Sequence, residues 1–135
     1  MPDDLSLPIQ HAVVAALRAN AGLAALVGDR VYDDVPPDTA FPYVCLTGWQ
    51  HVPEEIDCYD VSEYFFDVQC FSRRIGRIEV GGIAREVHSA LRRKEITITS
   101  GDTAAISHRS TNYLTEPDGL TQRAILNFVV TSDQF

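Results

Sequence analysis

The sequence predicts an α+β fold, in which two main helices pack on one face of a mostly antiparallel β-sheet as an α/β sandwich. Residues 6–20 and 76–93 carry apolar residues at helical spacing, whereas several other segments alternate between apolar and polar residues as strands do. A Pro-Asp-Gly turn near the end of the chain joins the last two strands into a long hairpin. The predicted order is α–(α)–β–β–α–β–β–β, and 135 residues suit one domain spanning 1–135.

The first helix is expected over residues 6–20. Ser6 is a favourable N-cap, and Pro8 falls in the first turn, where its missing N–H has no helical bond to lose. The apolar residues that recur at helical spacing and predict a buried face are Ile9, Val13, Ala16 and Leu17. Asn20 helps to end this helix, and "GLAALVG" predicts a short second helix that Gly28 closes.

The next segment, "DRVYDDVPPDTAFPYVCL", leads from the helices into the sheet. Val31–Tyr32 can begin a short strand. Pro36–Pro37 fix φ and lack N–H donors, which excludes regular structure from 33–40. A strand, "YVCLTGW", begins after Pro42. The prolines therefore predict a stiff, extended crossing between two strands.

The middle of the chain predicts an acidic loop followed by a strand. "HVPEEIDCYD", His51 to Asp60, is polar and long for a hairpin connection, and such loops often carry function. "EYFFDVQCFSR" alternates over its whole length and is the strongest strand pattern in the chain. Aromatic residues stand on both of its faces, so both faces are expected to be covered over part of the length.

The last half predicts a helix, a short strand and a hairpin. The stripe that identifies the helix 76–93 consists of Val80, Ile83, Val87, Ala90 and Leu91. Gly81–Gly82 inside it predict a kink or a close packing contact rather than a ligand site. "KEITITS" follows as a short strand. "AAISHRSTNYLTE" and "LTQRAILNFVVTS" then form the hairpin around Pro117–Asp118–Gly119.

Charge and cysteine content restrict the class of protein. The chain has 11 Lys and Arg against 19 Asp and Glu, a formal net charge of −8. Such a domain is poorly suited to binding nucleic-acid phosphates or anionic membranes. Three widely spaced cysteines indicate a reducing compartment without disulfides, and the N-terminus has no signal-peptide pattern. The protein is expected to be made in the cytoplasm.

The sequence predicts no catalytic residue, cofactor or metal. Cys58 and His51 could form a thiol nucleophile and its base, but a solvated loop is the favoured interpretation of both. The acidic residues of that loop, Glu54, Glu55, Asp57 and Asp60, lack the glycine turn and alternating ligands of a calcium loop. The four histidines lack metal-ligand spacing.

Two features suggest contacts with other chains. Arg73, Arg74 and Arg77 form a basic cluster that is too small to track nucleic acid, and either interchain ion pairs or a solvated face explains it. Trp49, the single tryptophan, is either a core residue or an interface anchor, because tryptophan is enriched at binding hot spots.

The sequence as a whole resembles the tail-completion, or tail-terminator, proteins of long-tailed bacteriophages and gene transfer agents. The resemblance runs from about Leu5 to Val130. Its most specific part is Leu-x-Gly-Asp-Arg-Val-Tyr followed by Pro-x-x-x-x-Phe-Pro-Tyr-Val. The strand "YFFDVQCFSR", the helix "GGIAREVHSAL" and the hairpin turn "EPDG" complete it.

This resemblance implies a structural virion protein at the head-proximal end of the tail, without catalysis or cofactor. Copies would form a ring, expected to be a hexamer, that caps the completed tail tube, ends its polymerisation and joins the head–tail connector. The implied partners are therefore the major tail tube protein and the connector or stopper protein, while DNA only passes through the lumen. The loop His51–Asp60 and the hairpin tip Thr115–Leu120 are predicted to make the axial contacts. The candidate interface residues are Asp29, Arg30, Trp49, Glu54, Glu55, Ile56, Asp57, Arg73, Arg74 and Asp118.

Three alternatives remain at the sequence level. The chain could be a different neck connector or minor tail adaptor, a small cytosolic ligand-binding domain, or a thiol enzyme that uses Cys58. If Cys58 were a catalytic thiol, its replacement by serine would abolish function.

Overall fold

The computed structural model describes residues 6–56, 59–97 and 103–134. Within these ranges the helices are α1 (Ser6–Ala19), α2 (Ala21–Val27) and α3 (Ile78–Leu91). The strands are β1 (Val31–Tyr32), β2 (Tyr43–Ile56), β3 (Tyr59–Ser72), β4 (Glu95–Thr97), β5 (Thr103–Thr115) and β6 (Gln122–Gln134). The predicted α+β class is confirmed.

The strands form one sheet in the order β1-β2-β3-β6-β5-β4. Every neighbouring pair is antiparallel except β1 and β2, which the proline-rich crossing joins in parallel. Helix α1 contacts both edge strands, β1 and β4, although these lie at opposite ends of the strand order. The sheet is therefore curled around its helices, and both edges approach the same helix.

The core lies between the helices and the inner face of this curled sheet. Side chains at every second position of β3 and β6 are buried there, as the period of two requires. The fully buried side chains of the sheet include Tyr64, Phe66, Val68, Cys70, Phe128 and Val130. The helices contribute Ile9, Val13, Leu17, Val80, Ile83, Val87 and Leu91, which confirms the predicted apolar faces of α1 and α3.

The outer face of the sheet has no helix against it in the described structure. Phe65 and Phe71 of β3 lie half-buried there, covered by side chains of neighbouring strands. The Arg109 guanidinium lies 5.1 Å from the centroid of the Phe65 ring, and Tyr43 stacks on Phe71 at 4.9 Å. Both faces of this strand were predicted to be covered. On the outer face, the cover consists of side chains from the same sheet and not of a second layer.

The prediction of an acidic loop over His51–Asp60 is wrong for most of its length. Strand β2 continues to Ile56 and β3 begins at Tyr59, with pairs from His51↔Tyr64 to Ile56↔Tyr59. Polar sequence misled the prediction because pairing between strands uses backbone N–H and C=O groups, which polar residues carry as well. Asp57 and Cys58 lie outside the described residues.

The helix boundaries differ slightly from the predicted ones. Asn20 caps the start of α2, where its Oδ1 accepts the Leu23 N–H at 2.8 Å, rather than only ending α1. Helix α3 begins at Ile78 instead of Gly76. At Gly82 an added Cβ would lie 4.0 Å from Leu26 of α2, an ordinary contact, and α3 continues through both glycines.

Candidate assembly surfaces

The two long hairpins point to opposite ends of the sheet. The register of β3 with β6 runs from Asp60↔Gln134 at one end to Ser72↔Gln122 at the other. At about 3.3 Å per residue, these ends lie roughly 40 Å apart along the strands. We call the end that carries residues 54–56 and 59–61 the hairpin end, and the end that carries 73–77 and 116–121 the loop end. A subunit of this shape has two separate surfaces along one axis.

Arg73 holds the loop end together within the subunit. Its guanidinium carbon lies 4.3 Å from the centroid of the Phe41 ring, and its Nε donates to Thr121 Oγ1 at 3.3 Å. These contacts join the proline-rich crossing to the β5–β6 turn. Arg73 makes these contacts inside its own chain while it remains exposed, and its interface role stays a prediction.

Asp118 shapes the β5–β6 turn as the Pro-Asp-Gly pattern predicts. Its Oδ1 accepts the N–H groups of Leu120 at 2.8 Å and Thr121 at 2.9 Å, and its Oδ2 accepts the Thr121 hydroxyl. The Thr121 and Leu120 bonds hold the pKa of this carboxyl below its usual range. Gly119 has φ +72°, the left-handed conformation that this turn position requires. An interface role for Asp118 remains a prediction.

Arg30 supports the parallel crossing between β1 and β2. Its Nε donates to the Pro42 carbonyl at 2.8 Å, and its own carbonyl accepts the Val44 N–H at 3.0 Å. These bonds hold the start of β2 against β1, and an interface role for Arg30 stays a prediction. Asp29 is exposed beside it, and its role in subunit contacts stays a prediction.

Trp49 lies at a bulge in β2, between Thr47 and Gln50. Gly48 has φ +67°, and a Cβ there would approach Asp67 Oδ2 to 2.9 Å, so glycine suits this position. The bulge turns Trp49 toward the inner face, where its ring stacks on Phe66 at 4.7 Å. The Trp49 Nε1–H is buried and has no hydrogen-bond partner among the described residues. The structure thus supports the core interpretation for its ring.

The other candidate interface residues fall at the hairpin end. Glu54, Glu55 and Ile56 form the last residues of β2, and Asp57 lies outside the described residues. The structure therefore separates the described candidate interface residues into four places. Arg73, Arg74 and Asp118 share the loop end, and Glu54, Glu55 and Ile56 lie at the opposite hairpin. Trp49 lies between these ends, and Asp29 and Arg30 precede β1.

Two isoleucines that were not predicted as interface residues lie exposed at the loop end. Ile75 is 100% exposed and Ile78 is 92% exposed, and with Leu26 they line a groove of about 400 Å³. At about 100° per residue, Ile78 is rotated by about 140° from Ile83 and hence lies off the buried stripe of α3. The sequence alone could therefore have indicated that Ile78 is not part of the buried face of α3.

The thiols of the described cysteines are not activated. Burial raises the pKa of Cys45 to about 11 and raises that of Cys70, which lies under the helices, well above its usual value. His51 Nε2 lies 3.1 Å from Ser62 Oγ, and its ring stacks on Tyr64. Cys58, the thiol proposed in the enzyme alternative, is among the residues that the structure does not describe.

The described part of the chain contains no cluster of three or more His, Cys, Asp or Glu side chains that could hold a metal ion. Among the same residues, no single helix has the length and apolar composition to cross a membrane. Helices α1 and α2 meet that test only together, as a pair bent by 82°.

Comparisons with known proteins agree with this geometry. Residues 11–132 match the family model described as tail completion protein gp17. A chain from the virion of a native gene transfer agent particle superposes with a TM-score of 0.88 at 24% identity, covering 98% of this chain and 99% of that one. The gp17 protein of bacteriophage SPP1 superposes with a TM-score of 0.65 at 21% identity, covering 94% of this chain and 90% of that one. No curated protein matches the sequence.

The two structural likenesses show the fold, and the sequence match shows the family. The match spans nearly the whole described core, including both helical faces, the proline-rich crossing and both hairpins. This confirms the resemblance that the sequence itself carries. The chain belongs to the tail completion protein gp17 family, the structural tail-completion proteins of phages and gene transfer agents.

Proposed function

We propose that this protein is a tail terminator, whose copies close into a ring on the head-proximal end of a finished tail tube. The ring, expected to be a hexamer, stops addition of tube subunits and offers its other surface to the head–tail connector. DNA passes through the lumen without being bound in a sequence-specific manner. The protein acts by shape and contact, and no catalytic step belongs to this role.

The observation that carries the proposal is the opposite direction of the two hairpins. A terminator must contact the tube on one side and the connector on the other. The hairpin end and the loop end lie about 40 Å apart along a single sheet, so one rigid subunit can present both surfaces. Family membership supports the same role.

The described thiols offer no activated nucleophile to the enzyme alternative. Cys45, with a pKa of about 11, is almost entirely protonated at neutral pH, and Cys70 is fully buried. A thiol mechanism would therefore depend on Cys58. Replacing Cys58 with serine is expected to leave particle assembly unchanged, and loss of assembly in that variant would favour the enzyme alternative.

The test is deletion of the gene in a strain that produces the particles, followed by electron microscopy. We expect tails of uncontrolled length, together with heads that remain unjoined. Tails of normal length that lack heads would instead indicate a neck connector or adaptor. Normal, infectious or gene-transferring particles would contradict both functions. Expression of the wild-type protein in the deletion strain is the control.

The two ends can then be tested separately. Glu54→Ala with Glu55→Ala changes the hairpin end, and Leu120→Ser changes the loop end at a side chain that is 61% exposed. The two variants are expected to give different defects, one with overlong tails and the other with unjoined heads. The same defect from both variants would contradict the two-surface arrangement. Leu120 is chosen over Asp118 because Asp118 is needed to hold the turn.

A further inference from the structure

The loop between β3 and α3 places aliphatic side chains in water. Ile75 and Ile78 are almost fully exposed, and Leu26 of α2, which is 39% exposed, lies beside them in the same groove. Single exposed aliphatic residues are common on protein surfaces, but a contiguous group at the edge of a groove is typical of an interaction site. The segment Arg74–Ile78, which we call the docking loop, is such a group.

The docking loop is also basic, in a chain of net charge −8. The side chain of Arg74 is 79% exposed, and its Nη1 lies 3.8 Å from Glu79 Oε2, a long contact at the surface. Glu79 already accepts the Ser72 hydroxyl at 2.7 Å through its other oxygen. Arg77 lies over the Tyr113 ring at 5.0 Å, with its charge at the surface. A partner for this loop should therefore combine an apolar depression with negative charge.

The same chain carries a surface of this kind in another place. A groove of about 480 Å³ lies between α1 and β1, with Val14, Ala15 and Val31 among its lining residues. Asp33 lines it as well, and Asp34 follows; both are exposed. Asp33 accepts the Gln10 amide at 2.7 Å and the Asp34 N–H at 2.9 Å, and neither carboxylate is in an ion pair with a described residue. Arg18 also lines the groove, but its Nη2 donates to the Val31 carbonyl at 2.7 Å. We call this the α1–β1 groove.

We propose that the docking loop of one copy inserts into the α1–β1 groove of a second copy. Ile75 and Ile78 would pack against its apolar wall, while Arg74 and Arg77 face Asp33 and Asp34. The two surfaces share no residue, so the contact is heterologous, and its repetition closes a ring when the rotation between copies allows. The inference rests on the proposed ring function and identifies the surfaces that join the copies laterally.

Charge reversal on each surface gives a direct test with the full chain. Arg74→Glu with Arg77→Glu makes the docking loop negative, and Asp33→Lys with Asp34→Lys makes the groove positive. Each double variant alone places like charges across the contact, and its self-association is expected to weaken at least about tenfold. An equimolar mixture restores opposite charges at every contact, so it is expected to assemble into rings in which the two variants alternate.

Sedimentation velocity of wild type, each variant and the mixture measures these outcomes. Wild-type protein that stays monomeric at about 100 µM would overturn the inference, because copies would then not bind each other measurably. Variants that assemble like wild type, or a mixture of folded variants that fails to assemble, would overturn it too. Recovery of assembly only in the mixture supports it, since a contact with another protein could not produce that result.

The apolar part of the contact has its own matched control. Ile75→Ser with Ile78→Ser is expected to weaken assembly at least about tenfold, whereas Leu120→Ser, also at the loop end, should leave it unchanged. Because these side chains are exposed, thermal unfolding of the monomer should shift little in either variant. Equal effects of the two changes on assembly would overturn the role of the docking loop.

Failure of this inference can be distinguished from failure of the proposed function. If deletion of the gene gives overlong tails while both charge-reversed proteins restore normal particles, the terminator role stands and the lateral contact is elsewhere. If deletion leaves particles normal, the terminator role falls whatever the association state of the purified chain.

Discussion

The two faces of β3 are built from the same alternating sequence and are stabilised in different ways. On the inner face, Tyr64, Phe66, Val68 and Cys70 are fully buried beneath the helices. On the outer face, Phe65, Asp67, Gln69 and Phe71 each contact a particular side chain from another strand. Asn127 Nδ2 donates to Asp67 Oδ1 at 2.8 Å, and Gln69 Nε2 donates to Thr47 Oγ1 at 2.9 Å.

This difference suggests that the two faces have different roles, one in the stability of the fold and the other in the arrangement of surface groups. Burial of apolar area is non-directional and contributes most of the free energy of folding. Cross-strand hydrogen bonds and aromatic contacts each contribute about 0.2–1 kcal/mol, but they depend on position. The inner face therefore holds the fold, while the outer face keeps a defined arrangement of polar and aromatic groups at the surface of the subunit.

The largest expected effect comes from removing an inner-face ring. Phe66→Ala deletes the ring that stacks on Trp49 at 4.7 Å and on Phe128 at 5.6 Å. The free energy of unfolding should fall by about 3–5 kcal/mol, measured by urea denaturation of the purified chain. Phe65→Ala, one residue away on the outer face, is the control and should lower it by about 1–2 kcal/mol. Equal losses would show that the two faces do not differ as described.

A smaller effect is expected from the outer face itself. Arg123 Nε lies 2.8 Å from Glu116 Oε1, with both side chains mostly shielded from water, and the guanidinium also faces the Phe71 ring at 6.0 Å. Arg123→Ala should lower the free energy of unfolding by about 1–2 kcal/mol. A double-mutant cycle with Glu116→Gln isolates the ion pair, and exposed Arg85→Ala should have almost no effect. Zero coupling between Arg123 and Glu116 would contradict the assignment.

A pH effect is expected where α3 meets β5. Burial, together with the neighbouring His108 and Arg92, lowers the pKa of His88, whose ring meets that of His108 edge-on at 4.6 Å. A depressed pKa favours the neutral form in the folded state. The contribution of neutral His88 to the free energy of unfolding is therefore present above the ordinary histidine pKa of about 6.5. It is lost as pH falls through the lower pKa that His88 has in the folded state. His88→Gln should flatten the fall in melting temperature between about pH 7 and 5; an unchanged slope would contradict this.

The smallest effect concerns reactivity and not stability. Cys45 points to the outer face and Cys70 to the inner face, and burial raises the pKa of both thiols. At a pKa of about 11, only about 0.1% of Cys45 is thiolate near pH 8. Iodoacetamide should modify Cys45 slowly and Cys70 more slowly still in native protein, as mass spectrometry of peptides would measure. Rapid modification of Cys70 would contradict its place in the core.

Much of this arrangement could be predicted because it depends on local periodicity. The apolar spacing of α1 and α3 indicated which of their faces would be buried, and the alternation in β3 separated Tyr64 and Phe66 from Phe65 and Phe71. Pro117–Asp118–Gly119 specified its turn because each residue acts locally: proline fixes φ, Asp118 accepts nearby N–H groups, and Gly119 permits a positive φ. Contacts at the loop end were harder to predict, because local spacing revealed neither that Arg73 contacts Phe41 and Thr121 nor that Ile75 and Ile78 are exposed.

By itself, then, the sequence determined the type of almost every element, the turn at 117–119 and the family, because these follow from residues near one another along the chain. Only the tertiary structure decided that β2 and β3 extend into the acidic segment, that the sheet curls until α1 meets both edges, and that Ile75 and Ile78 remain in water. Those features depend on contacts between residues far apart in sequence, where neither propensity nor spacing reveals which surfaces will meet.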